Sequence, residues 1–104
     1  MVYNVVVTTE AQEDMERFIK YLVMEKGSIE AAKSVMDDYD NTIEALKLVA
    51  GSLKLCDNPR LQKFKYRRIN FLKHRYFMLY RLVEDTAYVD SIFHELQDYE
   101  SWMY

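Results

Sequence analysis

The chain has 104 residues, of which 50% are hydrophobic and 30% are charged, and this composition is typical of one small folded domain spanning residues 1–104. Its single cysteine excludes an internal disulfide and favours a reducing compartment such as the cytoplasm. The two histidines lie far apart and the chain has only two glycines, which argues against a zinc site and a glycine-rich phosphate loop. We therefore expect no metal ion and no cofactor.

The charged residues are distributed unevenly along the chain. The formal net charge of −3, from 14 basic and 17 acidic side chains, argues against nucleic-acid binding when taken as a total. Residues 1–53 carry 5 basic and 10 acidic side chains, residues 54–81 carry 9 and 1, and residues 82–104 carry 0 and 6. The corresponding charges of −5, +8 and −6 predict one basic surface between acidic ones.

A strand and a helix are predicted at the start of the chain. The first nine residues contain a β-branched run at residues 5–7, which predicts a strand. The apolar run is too short for a signal peptide or a membrane span. Thr9 and Gln12 form a Thr-x-x-Gln capping box, which predicts the first residue of an amphipathic helix. Gly27 offers a left-handed C-terminal cap for this helix.

A second long helix follows, with Ser28 as its predicted N-cap. The apolar residues that share one side of this helix, and that predict antiparallel packing against the first helix, are Ala32, Val35, Met36, Tyr39, Ile43, Leu46, Ala50 and Leu53.

The second half of the chain predicts three strands. Residues 57–59 form a turn signal, and residues 66–71 predict a strand that the turn at residues 72–75 joins to the next one. Residues 76–83 alternate apolar side chains on both faces and predict a central strand, which pairs antiparallel with residues 87–93. The fold class is therefore α+β, in the order β-α-α-β-β-β, with two antiparallel helices on one face of a small, mainly antiparallel sheet.

Basic and aromatic residues alternate within the basic segment. If the helices cover one face of the sheet, the other face forms a shallow groove whose cations can contact phosphates and whose aromatic rings can stack on bases. The candidate phosphate-binding residues are Arg60, Lys63, Lys65, Arg67, Arg68 and Lys73. The same groove is also suited to an acidic, amphipathic peptide, which would compete with the polyanion.

Cleavage of RNA requires only proton transfer and cations, because the 2′-OH of RNA is itself the nucleophile. The candidates for proton transfer are His94, at the end of the last strand, and Tyr99. Arg75 and Arg81 are candidates for stabilising the charged transition state. His74 lies among cations in a predicted turn, which favours a surface role over a catalytic one.

Five segments in series carry a family resemblance: TTEAQEDM at 8–15, CDNPRL at 56–61, KYRRI at 65–69, YFMLYRL at 76–82 and IFHELQDYE at 92–100. In this order and spacing they resemble the RelE/ParE superfamily of bacterial toxin–antitoxin toxins, over nearly the whole chain. The resemblance implies a compact toxin that a cognate antitoxin neutralises in a hetero-oligomeric complex, with no membrane partner. The better-known branches of the superfamily cleave mRNA on the ribosome or inhibit DNA gyrase.

The resemblance leaves three functional hypotheses. The first is a metal-independent endoribonuclease, an mRNA interferase that cleaves translated mRNA on the ribosome with the arginines and His94 or Tyr99 in the roles given above. The second is a non-enzymatic inhibitor of DNA gyrase. The third is a chain that has lost its activity and binds only the antitoxin. Ribonuclease members commonly carry an arginine where this sequence has Phe77, and acidic residues follow His94 here.

Overall fold

The computed structural model describes residues 1–97, which form eight consecutive elements. These are β1 (Asn4–Val7), α1 (Thr9–Lys20), a π-helical segment (Tyr21–Glu25), α2 (Ile29–Val49), α3 (Pro59–Lys63), β2 (Arg67–Asn70), β3 (Tyr76–Val83) and β4 (Thr86–His94).

The four strands form one sheet in the spatial order β1-β4-β3-β2. The pairs β2–β3 and β3–β4 are antiparallel, and β1 pairs parallel with β4. The predicted α+β class, with two helices on a mainly antiparallel sheet and a central β3, is therefore confirmed. β1 lies at the edge of the sheet next to β4, and α1 and α2 follow it in the chain before the other strands begin. A long helical connection of this kind allows two strands to pair in parallel.

The cap of α1 lies one residue earlier than the sequence predicts. Thr8, not Thr9, is the N-cap, and its hydroxyl accepts a hydrogen bond from the Ala11 backbone N–H at 3.3 Å. The Gln12 amide donates to the Val7 carbonyl at 3.0 Å instead of closing a capping box with Thr9. The predicted helix is present, but its first turn is fixed by a different threonine.

The junction between the two long helices agrees with the prediction. Gly27 has a φ of 64°, which is the left-handed conformation that glycine adopts without strain. Ser28 caps α2, and its hydroxyl accepts a hydrogen bond from the Ala31 backbone N–H at 3.0 Å. However, α2 ends at Val49, so Leu53 lies beyond the helix to which the sequence pattern assigned it.

A short helix, α3, replaces the simple turn predicted at residues 57–59. The Asn58 side chain accepts from the backbone N–H groups of Arg60 and Leu61, and Pro59 occupies the first turn, where its missing N–H costs nothing. The helix is fixed by Leu61, whose side chain is fully buried. The position of α3 determines how much of the sheet remains exposed.

The main core lies between the two long helices and one face of the sheet. It contains Met78 and Tyr80 of β3, which pack with Leu46 of α2 and Ala11 of α1. The Tyr80 hydroxyl donates to the Ala50 carbonyl at 2.7 Å in the interior.

The opposite face of the sheet is covered by a second apolar cluster, which corrects the expectation of an open groove. Leu61 of α3 and Tyr66 pack with Phe77 and Leu79 of β3 and with Phe93 of β4. Phe77 and Leu79 are fully buried. Because β3 is apolar on both faces, both faces need a cover, and α3 provides the second one.

Candidate functional site

The predicted phosphate-binding residues are spread over several elements. Arg60 and Lys63 lie on α3, Lys65 lies in the connection to β2, and Arg67 and Arg68 lie on β2. Lys73 and Arg75 lie in the connection between β2 and β3, where both side chains are exposed. The basic segment therefore surrounds the second apolar cluster and the β2 edge of the sheet, and it does not line an open groove.

The adjacent arginines of β2 have different surroundings. Arg67 is opposite Tyr80, and its guanidinium donates to the Leu53 carbonyl in the loop after α2. The Arg68 guanidinium lies 3.7 Å from the centroid of the Phe77 ring and donates to the Asn70 side chain at 2.8 Å. A strand alternates its side chains between faces, so these two arginines do not form a single phosphate clamp.

Arg81 belongs to a polar network on the face that carries α3. Its Nε donates to Oδ2 of Asp90 at 2.7 Å, and the Tyr66 hydroxyl donates to the same oxygen at 2.8 Å. Burial, together with the hydrogen bond and charge of Asp90, raises the pKa of Tyr66 to about 12, although Arg81 opposes this shift. The guanidinium also lies 5.0 Å from the Tyr88 ring centroid. Arg81 is therefore already paired with a carboxylate.

His94 caps the end of β4. Its backbone N–H donates to Oε1 of Gln97 at 2.8 Å, and its Nδ1 accepts from the Leu96 backbone N–H at 3.2 Å. A backbone N–H can only donate, so in the neutral ring the proton is on Nε2. The imidazole also meets the Tyr76 ring edge-on, with centroids 5.0 Å apart.

A cavity of about 540 Å³ lies beside His94 on the face of the sheet that carries the long helices. Residues from α1, the π-helical segment, β3 and the end of β4 line it, namely Arg17, Phe18, Tyr21, Leu22, Tyr76, His94, Leu96 and Gln97. The lining of this cavity is mainly aromatic and aliphatic, so the cavity is better suited to an apolar side chain than to a phosphate group.

A β-bulge explains why His94 faces this cavity. Leu79 is opposite Ser91 whereas Tyr80 is opposite Val89, so no residue of β3 lies opposite Asp90 in the register. This extra residue moves the rest of β4 by one position and places His94 on the other face of the sheet from Arg81. Asp14 of α1 fixes the bulge, because Oδ2 of its buried carboxylate accepts from the Ile92 backbone N–H at 3.0 Å and from the Ser91 hydroxyl at 3.1 Å.

The candidate catalytic residues are therefore separated. Tyr76 is opposite His94 and Arg81 lies five residues further along β3, a separation of about 17 Å at the usual rise of a strand. Arg75 lies at the same end of β3 as His94, and its carbonyl accepts from the Glu95 backbone N–H at 2.9 Å. Tyr99 lies outside the described residues.

Two further kinds of site have no candidates in residues 1–97. No three His, Cys, Asp or Glu residues in this part of the chain are grouped so that they could hold a metal ion. No helix within the same residues is long and apolar enough to cross a membrane.

Comparisons with known proteins identify the family. The profile described as "ParE toxin of type II toxin-antitoxin system, parDE" matches residues 5–99. The chain belongs to the ParE toxin family.

A solved structure supports the ParE fold independently. It is described as the chromosomal ParDE TA system from P. aeruginosa, and it superposes with a TM-score of 0.71 at 17% sequence identity. The alignment covers 89% of this chain and 96% of that chain. A search among curated proteins gave no match. The sequence resemblance to RelE/ParE toxins is therefore confirmed.

Sequence reasoning missed three acidic residues that organise the structure of this ParE toxin. Asp14 and Asp38 accept hydrogen bonds from groups far away in the chain, in the β4 bulge and in the β2–β3 turn. Asp90 accepts from Arg81 on the neighbouring strand β3. Asp14 and Asp38 belong to helices whose acidic residues are most simply solvated, so the sequence offers no signal for their burial.

Proposed function

We propose that this ParE toxin acts as a non-enzymatic inhibitor that binds DNA gyrase, and that a cognate antitoxin neutralises it. The sequence alone leads first to an mRNA interferase, because it offers His94 and Tyr99 for proton transfer beside the arginines of the basic segment. The arrangement of the side chains supports binding instead.

The observation that carries this proposal is the separation of His94 from Arg81. A ribonuclease of the proposed type needs its proton-transfer group and its phosphate-binding cations around one scissile bond. Here His94 and Arg81 lie on opposite faces of the sheet, and Arg81 is held by Asp90. In the neutral His94 ring, Nδ1 accepts a hydrogen bond from the Leu96 backbone N–H, and Nε2 carries the proton. Neither nitrogen can therefore accept a proton from a 2′-OH as long as the hydrogen bond from Leu96 is kept.

The position of Phe77 supports the same conclusion. Phe77 occupies the place at which ribonuclease members of the superfamily commonly carry an arginine, and its side chain is fully buried against Phe93 and Leu79. A buried phenylalanine stabilises the sheet and offers nothing to a phosphate.

The antitoxin is expected to be a small protein with acidic and apolar residues, in a hetero-oligomeric complex with this chain. Its acidic residues complement the exposed cations of the basic segment, such as Lys63, Lys65 and Lys73. Opposite charges of this kind accelerate association and favour the correct partner.

Two assays on purified toxin, freed of antitoxin, test the proposed function side by side. We expect the toxin to block supercoiling of relaxed plasmid by gyrase, and to leave mRNA intact on actively translating ribosomes. Cleaved mRNA with unaffected gyrase would overturn the proposal in favour of the mRNA interferase. A toxin that affects neither target and does not slow growth would instead identify a chain that only binds the antitoxin.

A further inference from the structure

Asp38 is a buried carboxylate on α2 that holds the connection between β2 and β3. Its Oδ1 accepts from the backbone N–H of Leu72 at 3.0 Å, and its Oδ2 accepts from the backbone N–H groups of Lys73 at 3.0 Å and His74 at 2.7 Å. The side chain is only 2% exposed. Burial raises the pKa of Asp38, but the hydrogen bonds from His74 and Lys73 outweigh it and lower the pKa overall.

The carboxylate also determines how the His74 ring is protonated. Nδ1 of His74 lies 2.7 Å from Oδ2 of Asp38. An ionised carboxylate can only accept, so Nδ1 carries the proton and donates it. In the neutral imidazole, Nε2 is then an acceptor with a free lone pair, the tautomer that a general base requires.

The acceptor nitrogen faces a serine hydroxyl. Nε2 of His74 lies 3.3 Å from Oγ of Ser34, which is one helical turn before Asp38 on α2. Ser34 is exposed, and the His74 side chain is 29% exposed, so a small reagent can reach both groups. Nucleophile, base and orienting carboxylate are thus connected in the order that defines a Ser-His-Asp triad.

We propose that Ser34, His74 and Asp38 form a nucleophilic site that accepts acyl groups from activated esters. Ser34 Oγ attacks the carbonyl carbon of the ester, and its proton passes to His74 Nε2. The new bond joins Oγ to the acyl carbon, the ester C–O bond breaks, and the leaving oxygen departs with the bonding electron pair. An alkoxide takes the proton from His74 Nε2 and leaves as the alcohol, whereas a phenolate leaves unprotonated and His74 releases its proton to water. Asp38 stabilises the imidazolium that forms and does not itself take the proton.

The position of Ser34 within α2 defines the class of ester. Its backbone N–H lies inside the helical hydrogen-bond ladder, so it is not directed at the oxygen of an attacked carbonyl. Stabilisation of that oxyanion is a major part of efficient acyl transfer. The site is therefore suited to esters with good leaving groups, and we expect one stable acylation of Ser34 followed by slow turnover.

The test uses 4-nitrophenyl acetate with the full-length toxin. We expect a burst of about one equivalent of 4-nitrophenolate, and peptide mass mapping should place the acetyl group on Ser34. Hydroxylamine removes an acetyl ester from serine and leaves acetyl-lysine intact, which separates Ser34 from lysines that react directly. Ser34 should be acetylated at least about 100-fold faster than Ser52, an exposed serine in the loop after α2, because a positioned general base contributes at least this factor.

Variants separate an activated serine from a merely exposed one. Ser34→Ala should abolish the burst, and the matched control Ser52→Ala should keep it. His74→Gln should slow acetylation of Ser34 to the rate of Ser52, with circular dichroism confirming that the variant is folded. Equal rates at Ser34 and Ser52 in the wild-type toxin would overturn the proposal even without the His74 variant. That result would assign Asp38 and His74 to holding the turn only, and it would not affect the proposed inhibition of gyrase.

Discussion

Replacement of Asp38 by asparagine tests how the β2–β3 connection is held to α2. The carboxylate accepts hydrogen bonds from three consecutive backbone N–H groups and from the His74 ring. The asparagine amide keeps one accepting oxygen, but its NH₂ group faces donors. Hydrogen bonds to a charged group contribute about 1.5 to 3 kcal/mol each, so the loss of two should cost about 3 to 6 kcal/mol. For a domain of this size, we expect a decrease in Tm of at least about 12 °C.

The effect of Asp38→Asn should depend on pH in a defined direction. The pKa of Asp38 is lowered in the folded protein from its ordinary value of 3.8, so the unfolded chain binds the proton more tightly. The carboxylate therefore contributes its full stability above this value, and the contribution is lost as the pH falls through the lower pKa of the folded state. The difference in unfolding free energy between wild type and Asp38→Asn should therefore narrow on acidification below pH 3.8.

Urea unfolding of both proteins measures this difference directly. The matched control is Asp37→Asn, which removes the same charge from an exposed residue of α2 and should change the unfolding free energy by less than about 0.5 kcal/mol. An Asp38→Asn variant as stable as Asp37→Asn at neutral pH would refute the assignment of Asp38 as the anchor of this turn.

Three further substitutions test the packing. Gly51→Ala should cost about 1 to 3 kcal/mol in urea unfolding, because its Cβ would lie 2.0 Å from the Tyr3 hydroxyl; unchanged stability would show that Tyr3 moves freely. Tyr80→Phe should cost about 1 to 3 kcal/mol, since the buried Ala50 carbonyl loses its donor, and a neutral effect in thermal unfolding would contradict this. Phe77→Arg should lower Tm strongly by placing a charge in the second apolar cluster, and a stable variant would show that this cluster is open to water.

Local signals in the sequence predicted most of the secondary structure. Gly27 and Ser28 mark the junction between the helices because each residue acts on its own backbone and on the first turn beside it. The alternation in β3 predicts a strand covered on both faces. The short helix α3 was missed because a helix of five residues is not stable by itself, and here it depends on the burial of Leu61 in addition to the Asn58 cap.

The site was harder to predict because it depends on long-range pairing. The alternation of a strand already separates Arg67 from Arg68, and this could have been inferred from the sequence. The face on which His94 lies could not be inferred, because the bulge at Asp90 reverses it and is fixed by Asp14, a residue 76 positions earlier in the chain. A shift of one residue in β4 changes the face of every side chain beyond it.

Titration of a fixed concentration of gyrase with purified toxin is the most direct test of the central claim that this chain acts by binding. An inhibitor that binds gyrase suppresses supercoiling only when the toxin reaches the concentration of gyrase or its own Kd, whichever is higher, and added antitoxin restores activity. We expect this stoichiometric behaviour, with no fall in mRNA integrity on translating ribosomes at the same toxin concentrations. Cleavage of mRNA by toxin present at far below one molecule per ribosome would contradict it.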